Sequence, residues 1–231
     1  MTADPFRYER KFLVDQLDAH QIRALIKRHP AMFVQPYPPR YVNNLYLDTA
    51  DLQNYQDNVS GADERFKVRI RWYGDLFGPI AQPTLEFKLK RGLVGDKHAY
   101  SFGSFTLDKG FGVGDYQAAL HAAMQHGDGI PPHLLPYLRR LDVVLCNRYR
   151  RWYFATRDGR FRLTVDAELT FYGLARARNR FLHRHVDRRT VIVELKYAKS
   201  FDTQAQRIAG FLPFSVTKNS KYATGIELMY G

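Results

Sequence analysis

The stretch Arg65-Phe-Lys-Val-Arg-Ile-Arg71 decides the fold. Arg65, Lys67, Arg69 and Arg71 recur at every second position, and Phe66, Val68 and Ile70 fill the places between. A period of two is that of a β-strand, so four cations share one face and three apolar side chains the other. The same alternation recurs along the chain. Arg7, Glu9 and Lys11 share a face in Arg7-Tyr-Glu-Arg-Lys11. Glu86, Lys88 and Lys90 oppose Leu85, Phe87 and Leu89. Arg160, Arg162, Thr164, Asp166 and Glu168 form another polar set, and Glu194 and Lys196 stand against Val193 and Leu195. Glu-x-Lys occurs in three of these strands, at Glu9/Lys11, Glu86/Lys88 and Glu194/Lys196.

One such strand reads as part of an antiparallel sheet with a wet face and cross-strand ion pairs. Five together hold many more cations than anions, and a flat face so charged would repel itself. The excess makes sense if the sheet curls around a polyanion. Eight strands close into a barrel whose interior takes side chains or one ligand. The polar faces would then point inward and the apolar faces outward, under helices. The expected fold is therefore α+β: an eight-stranded antiparallel closed β-barrel with a basic polar interior, in a single domain over residues 1–231.

Composition agrees. The 231 residues are 45% hydrophobic and 14% aromatic, enough for a packed core, which excludes a mainly disordered chain. Thirty-five Lys and Arg against 23 Asp and Glu leave a formal charge of +12, which points to phosphate-bearing partners. The single cysteine, Cys146, excludes an internal disulfide and a cysteine metal site. No stretch approaches the ~20 apolar residues of a membrane-spanning helix. The N-terminus is polar and unlike a secretory signal, so a cytoplasmic location is expected.

Alternation and β-branched or aromatic content predict strands near 6–14, 40–47, 64–73, 84–91, 97–106, 142–156, 160–172 and 189–197, with a short one at 213–217. Helices are expected at 18–29, at 49–58 with Thr49 as N-cap, at 115–126, 131–140 and 202–211, and over 220–230. The arginines at 176–189 read as a solvated loop, His183-Arg-His185 with Asp187 as part of its surface, and Gly110 to Gly114 as a flexible loop without a phosphate-loop signature. Cys146, in an apolar run, reads as core. Trp72 and Trp152 read as packing beneath helices, although either could stack on an adenine.

A basic face with a few carboxylates has a definite chemistry. Arginine forks grip phosphate oxygens bidentately and lysine acts as a point charge. Carboxylates hold Mg²⁺ or Mn²⁺ against phosphate oxygens. Phosphoryl transfer then needs mainly positioning and charge stabilisation.

Eight motifs in order carry a family resemblance: Arg7-Tyr-Glu-Arg-Lys-Phe12; Leu45-Tyr-Leu-Asp-Thr49 with Tyr55 and Gly61; Lys67-Val-Arg-Ile-Arg-Trp-Tyr-Gly74; Leu85-Glu-Phe-Lys88; Tyr149-Arg-Arg-Trp-Tyr153; Arg162-Leu-Thr-Val-Asp166; Val193-Glu-Leu-Lys-Tyr197; and Lys218-Asn-Ser-Lys-Tyr222. The chain resembles the VTC, or polyphosphate polymerase, domain of the triphosphate tunnel metalloenzyme (CYTH-like) superfamily, from about residue 6 to residue 230. The resemblance implies a tunnel that takes ATP or another triphosphate and inorganic polyphosphate, with Mn²⁺ or Mg²⁺ as cofactor. It implies transfer of the terminal phosphate of ATP to a polyphosphate chain. By match to the motifs, Lys11, Arg69, Arg71, Lys88, Arg151, Arg162 and Lys218 would be catalytic. Glu9, Lys67, Glu86, Lys97, Tyr149, Lys196, Ser220 and Lys221 would bind substrate, and Glu194 would hold the metal. Hydrolases of the superfamily begin with Glu-x-Glu-x-Lys. Arg7 stands at the first of those positions, which tilts the reading from hydrolase towards polymerase. An inorganic or nucleoside triphosphatase and a non-catalytic polyphosphate-binding module remain the alternatives. A nucleic-acid binder has only the pI in its favour and would be indifferent to Glu194→Ala. A membrane partner is compatible with the sequence.

Overall fold

The computed structural model describes residues 7–91, 94–108, 110–111, 113–125, 129–175 and 178–231. In chain order the elements are β1 (Arg7–Val14), α1 (Ala19–Lys27), β2 (Arg40–Asp48), α2 (Gln53–Ser60), β3 (Glu64–Tyr73), β4 (Gly78–Ile80), β5 (Thr84–Arg91), β6 (Val94–Ser101) and β7 (Phe105–Leu107). They continue with α3 (Val113–Gln125), α4 (Leu135–Leu138), β8 (Asp142–Ala155), β9 (Arg162–Ala175), β10 (Arg178–Asp187), β11 (Val191–Ala198), α5 (Asp202–Gly210) and α6 (Lys221–Tyr230). The chain is mixed α+β, and the described pairings are antiparallel. It forms two compact units, and the long strands β8 and β9 contribute residues to each.

The first unit comprises Met1–Tyr41, Tyr149–Leu169 and Val186–Ser220. Its strands run in the order β1-β11-β9-β8. The apolar alternates Phe12, Val14, Leu163, Val165, Val193 and Leu195 pack with Ile22 and Ile26 of α1 and Ala205 and Ile208 of α5 in one core. Helix α1 starts where the residues direct it. Asp18 accepts from the backbone N–H of His20 and Gln21, and Gln21 Oε1 accepts from the Asp18 N–H, a capping box.

The second unit comprises Val42–Arg148, Thr170–His185 and Lys221–Gly231. Its strands run β8-β2-β3-β5-β6. Leu45, Leu47, Val68, Ile70, Leu85 and Phe87 pack with Tyr116, Leu120 and Ala123 of α3. In both units the helices therefore cover the apolar side of the strands, as the alternation predicts.

Several expectations change. The strand expected over 97–106 is two: β6, and β7, which pairs with β4 in a separate two-stranded sheet. Gly103 lies between them, where a Cβ would come within 3.4 Å of the α3 backbone at Ala119 and Ala123, so the chain leaves the sheet to run against the helix. The expected strand at 213–217 reduces to one bridge, Phe12 to Val216. The helix expected over 131–140 is a 3-10 turn at Pro132–Leu134 followed by the four residues of α4. Helix α2 begins at Gln53 with Leu52, not Thr49, at the N-cap position; Thr49 Oγ1 accepts from the N–H of Gln53, and the Asp48 carboxylate from those of Asn54 and Tyr55. The run expected as a loop at 176–189 contains β10, paired with β9. Its charges suggest solvent, but Phe181 is buried in the core of the second unit. Of that run, residues 176–177, and of the glycine loop, Gly112, lie outside the described residues; Gly114 belongs to α3. Trp72, Trp152 and Cys146 are core residues, as expected.

Candidate functional site

Each unit gathers charge on the side of its sheet opposite the helices. In the second unit the centre is Glu86, only 6% exposed. Register sets it directly beside Arg69 on β3. Arg69 Nε and Nη2 donate to one carboxylate oxygen at 2.8 and 2.6 Å, Arg71 Nη1 lies 3.4 Å from the other, and Lys97 Nζ donates to it at 2.9 Å. Burial pushes the Glu86 pKa up, but the combined charge of Arg69, Arg71 and Lys97 holds it well below the usual carboxylate range. Burial also pulls the Lys97 ammonium below its ordinary value, against the opposing pull of Glu86.

Next to this cluster, Lys67 stands opposite Lys88 and Lys88 opposite Lys97, so three lysines form a row across β3, β5 and β6. Like charges directly opposite are destabilising unless something neutralises them. A buried relay leads away from the cluster. Arg71 Nε donates to Asn44 Oδ1 at 3.0 Å, and Asn44 Nδ2 donates to Asn147 Oδ1 at 2.8 Å. At the edge of the row, Lys67 Nζ lies 5.9 Å from the centre of the Tyr222 ring. Tyr222 stacks on Tyr46 and donates its hydroxyl to Asp48. That anchor fixes the first turn of α6, where Lys221 is buried.

In the first unit the rows are mixed. Glu9 faces Lys196, Lys11 faces Glu194, and Thr164 and Arg162 of β9 continue those two rows. Lys11 Nζ lies 3.1 Å from Glu9 and donates to the Asn219 carbonyl at 2.9 Å. Lys196 Nζ lies 3.7 Å from Glu9 and 3.4 Å from Glu194. Arg151 forks onto the fully buried Asp166, with both bonds at 2.6 Å, and its Nη2 is 3.5 Å from Glu194. Tyr149 packs beneath the Arg151 guanidinium, 5.3 Å from ring centre to Cζ. The Thr164 hydroxyl, on the row of Glu194, is buried with no hydrogen-bond partner.

The residues expected from the sequence thus fall into two groups. Glu9, Lys11, Tyr149, Arg151, Arg162, Glu194 and Lys196 share the first unit, where Lys218 and Ser220 lie on the segment that follows Thr217, whose N–H donates to the Lys11 carbonyl. Lys67, Arg69, Arg71, Glu86, Lys88, Lys97 and Lys221 share the second. Lys11 falls in the first group because β1 pairs with β11, and Lys221 in the second because α6 returns to β2. Sequence reasoning passed over Asp166 as a partner of Arg151, and over Asn44, Asn147 and Tyr46. The available signal was two asparagines, Asn43 and Asn44, in the middle of an otherwise apolar strand.

The sheet is antiparallel in an α+β chain, with a partly buried, cation-rich polar side. The VTC domain model matches residues 6–230, and the chain belongs to that family. No curated protein matches it significantly. Among solved structures it is similar to a protein of Vibrio parahaemolyticus proposed to be an adenylate cyclase, at 12% identity and TM-score 0.54, covering 94% of this chain and 95% of that one. It is also similar to the Hippeastrum protein HpAC1, proposed to be an adenylyl cyclase and reported to have a dominant triphosphatase activity, at 16% identity and TM-score 0.50, covering 95% and 94%. These likenesses are of fold.

Proposed function

We propose that this VTC-family chain is a metal-dependent phosphotransferase of the polyphosphate polymerase type. The observation that carries the reading is the cationic row of half-buried Lys67 with exposed Lys88 and Lys97, set beside Arg69 and the buried Arg71, with the buried carboxylate Glu86 among them. Such a row calls for a polyanion. The family match over residues 6–230 supports reading both units as parts of one VTC domain.

Arg69, Arg71 and Lys88 hold phosphate oxygens, and Glu86 keeps the two guanidiniums aimed. Arg151 and Lys11 neutralise charge that develops as the terminal phosphate leaves. Tyr149, Arg162, Lys196, Lys218, Ser220 and Lys221 line the rest of the phosphate path. The donor set fits a hard divalent cation. Glu194 and Glu9 are carboxylates on adjacent strands bridged by Lys196, and the partnerless Thr164 hydroxyl lies on the Glu194 row. Mg²⁺ is commonly held by one or two carboxylates with substrate phosphates and water filling its other positions. Glu194, with Glu9, would hold Mn²⁺ or Mg²⁺, which when bound supplies charge neutralisation on the phosphate oxygens. A terminal phosphate oxygen of polyphosphate attacks the γ-phosphorus of ATP. The bond to the β,γ-bridging oxygen breaks, ADP leaves, and the chain is one phosphate longer. No side-chain nucleophile is needed.

The test is incubation with ATP and Mn²⁺, with polyphosphate resolved on a gel and free phosphate measured in the same sample. A ladder that is absent in Glu194→Ala is the expected result. Free phosphate without a ladder would make the chain a triphosphatase, the activity reported for the Hippeastrum neighbour. Binding of polyphosphate with neither product would make it a binding module.

A further inference from the structure

The polar side of the first unit ends in an aromatic cluster that phosphate chemistry does not use. Tyr37 is 59% exposed, unusual for so large a ring. It sits in Gln35-Pro-Tyr-Pro-Pro39, with proline on both sides. Each proline fixes its own φ and restricts the residue before it, so the strap is stiff. One end is pinned to β8 by paired backbone bonds between Val34 and Ala155, both 2.9 Å. The Gln35 side-chain amide donates to the Tyr37 carbonyl at 3.1 Å.

Behind Tyr37 stands Tyr153, its ring perpendicular at 6.1 Å between centres. Arg40 completes the cluster. Its guanidinium lies 4.9 Å from the Tyr153 ring centre, and its Nε donates to the Tyr153 hydroxyl at 3.1 Å. Trp152 and Phe154 belong to the apolar core, so Arg151 and Tyr153 face the other way, on one side of β8. Two residues along a strand span ~6.6 Å. The rings therefore begin one side-chain step beyond the arginine that the proposed function assigns to phosphate.

We propose that Tyr37, backed by Tyr153 and Arg40, is a stacking platform for the nucleobase of a nucleoside triphosphate whose phosphates lie at Arg151. The inference rests on the triphosphate reading above and adds the subsite that separates a nucleotide from inorganic tripolyphosphate. Aromatic stacking is tolerant of base identity, because every base offers a π-face. ATP and GTP should therefore bind alike.

The experiment compares ATP with inorganic tripolyphosphate by titration calorimetry on the full chain, for wild type, Tyr37→Ala and Tyr37→Trp. Tyr37→Ala should weaken ATP about tenfold, within the range of a lost base–aromatic stack, and leave tripolyphosphate unchanged. Tyr37→Trp should restore ATP binding. If Tyr37→Ala leaves ATP unchanged, or weakens both ligands equally, the platform is refuted while the phosphate reading stands. If wild type binds neither ligand, the phosphate reading itself fails and the platform falls with it.

Discussion

Glu86→Gln removes one negative charge and almost no volume. Three cations then remain, which in the native protein lie 2.6 to 3.4 Å from that carboxylate. Breaking a buried ion pair by removing one partner costs about 3–5 kcal/mol. The lower end applies here, because the Lys97 side chain is 52% exposed and water screens it. A loss of about 3 kcal/mol in a chain of this size lowers Tm by roughly 6–12 °C. The pH dependence has a definite sign. The folded-state pKa of Glu86 is depressed, so its contribution is complete above the ordinary glutamate value of 4.5 and is lost as pH falls below it. The gap in stability between wild type and Glu86→Gln should be constant from pH 6 to 8 and shrink below about pH 4.5. Tripolyphosphate should narrow it as well, since the variant face is more positive and gains more from an anion; at 100 times Kd a ligand contributes about 2.7 kcal/mol. Scanning calorimetry across pH, with and without tripolyphosphate, measures all three effects. A variant as stable as wild type, or a gap that widens in acid or with tripolyphosphate, would refute the assignment of Glu86 as the counterion that holds the phosphate-gripping cations.

Arg151→Ala strands Asp166 without its fork and should cost about 3–5 kcal/mol in urea unfolding, whereas Arg151→Lys should recover part of that stability but not tripolyphosphate affinity, since an ammonium cannot grip bidentately. Asp48→Asn weakens contacts to Thr49, Asn54, Tyr55 and Tyr222, so it should cost about 1–3 kcal/mol and weaken tripolyphosphate binding through Lys221, measured by urea unfolding and calorimetric titration. Cys146 is fully buried and burial pushes its thiol pKa up, so a thiol reagent should label it only at the rate of unfolding, read by mass spectrometry in increasing urea.

Period-two alternation and β-branched or aromatic content placed β1, β2, β3, β5, β8, β9 and β11 to within a few residues. The reading failed where charge or short length hid the pattern. In β10 the charged residues overwhelm the one buried ring at Phe181, so composition looks like solvent although the backbone is paired. The three-residue β4 and β7 are too short to show a period at all. The strand cations of the site were legible because each takes an alternate strand position, whereas Lys218 and Lys221 lie off the strands. The partners of the strand cations were not. Nothing local says that Asp166, fifteen residues along the chain on the neighbouring strand, takes the Arg151 fork, or that Asn44 passes a hydrogen bond from Arg71 to Asn147. Those facts come from register, which the turns and the cores fix together.

Register also divides the chemistry. On the first unit's polar side, Lys11, Arg151, Arg162 and Lys196 stand among three carboxylates, Glu9, Asp166 and Glu194. On the second unit's, Lys67, Arg69, Arg71, Lys88 and Lys97 stand with Glu86. The near balance of the first suits a divalent cation, which needs carboxylates within reach and is repelled by a surplus of cations. The surplus of the second suits bare phosphate oxygens and would resist a metal. The carboxylates also differ in kind. Asp166 and Glu86 are each committed to an arginine fork at 2.6 Å, and Arg151 Nη2 and Lys196 Nζ stand 3.5 and 3.4 Å from Glu194. A carboxylate gripped by a fork orients its arginine. On the proposed reading, Asp166 and Glu86 would keep the phosphate-gripping guanidiniums in place, and Glu194, on the carboxylate-rich side, would hold the metal.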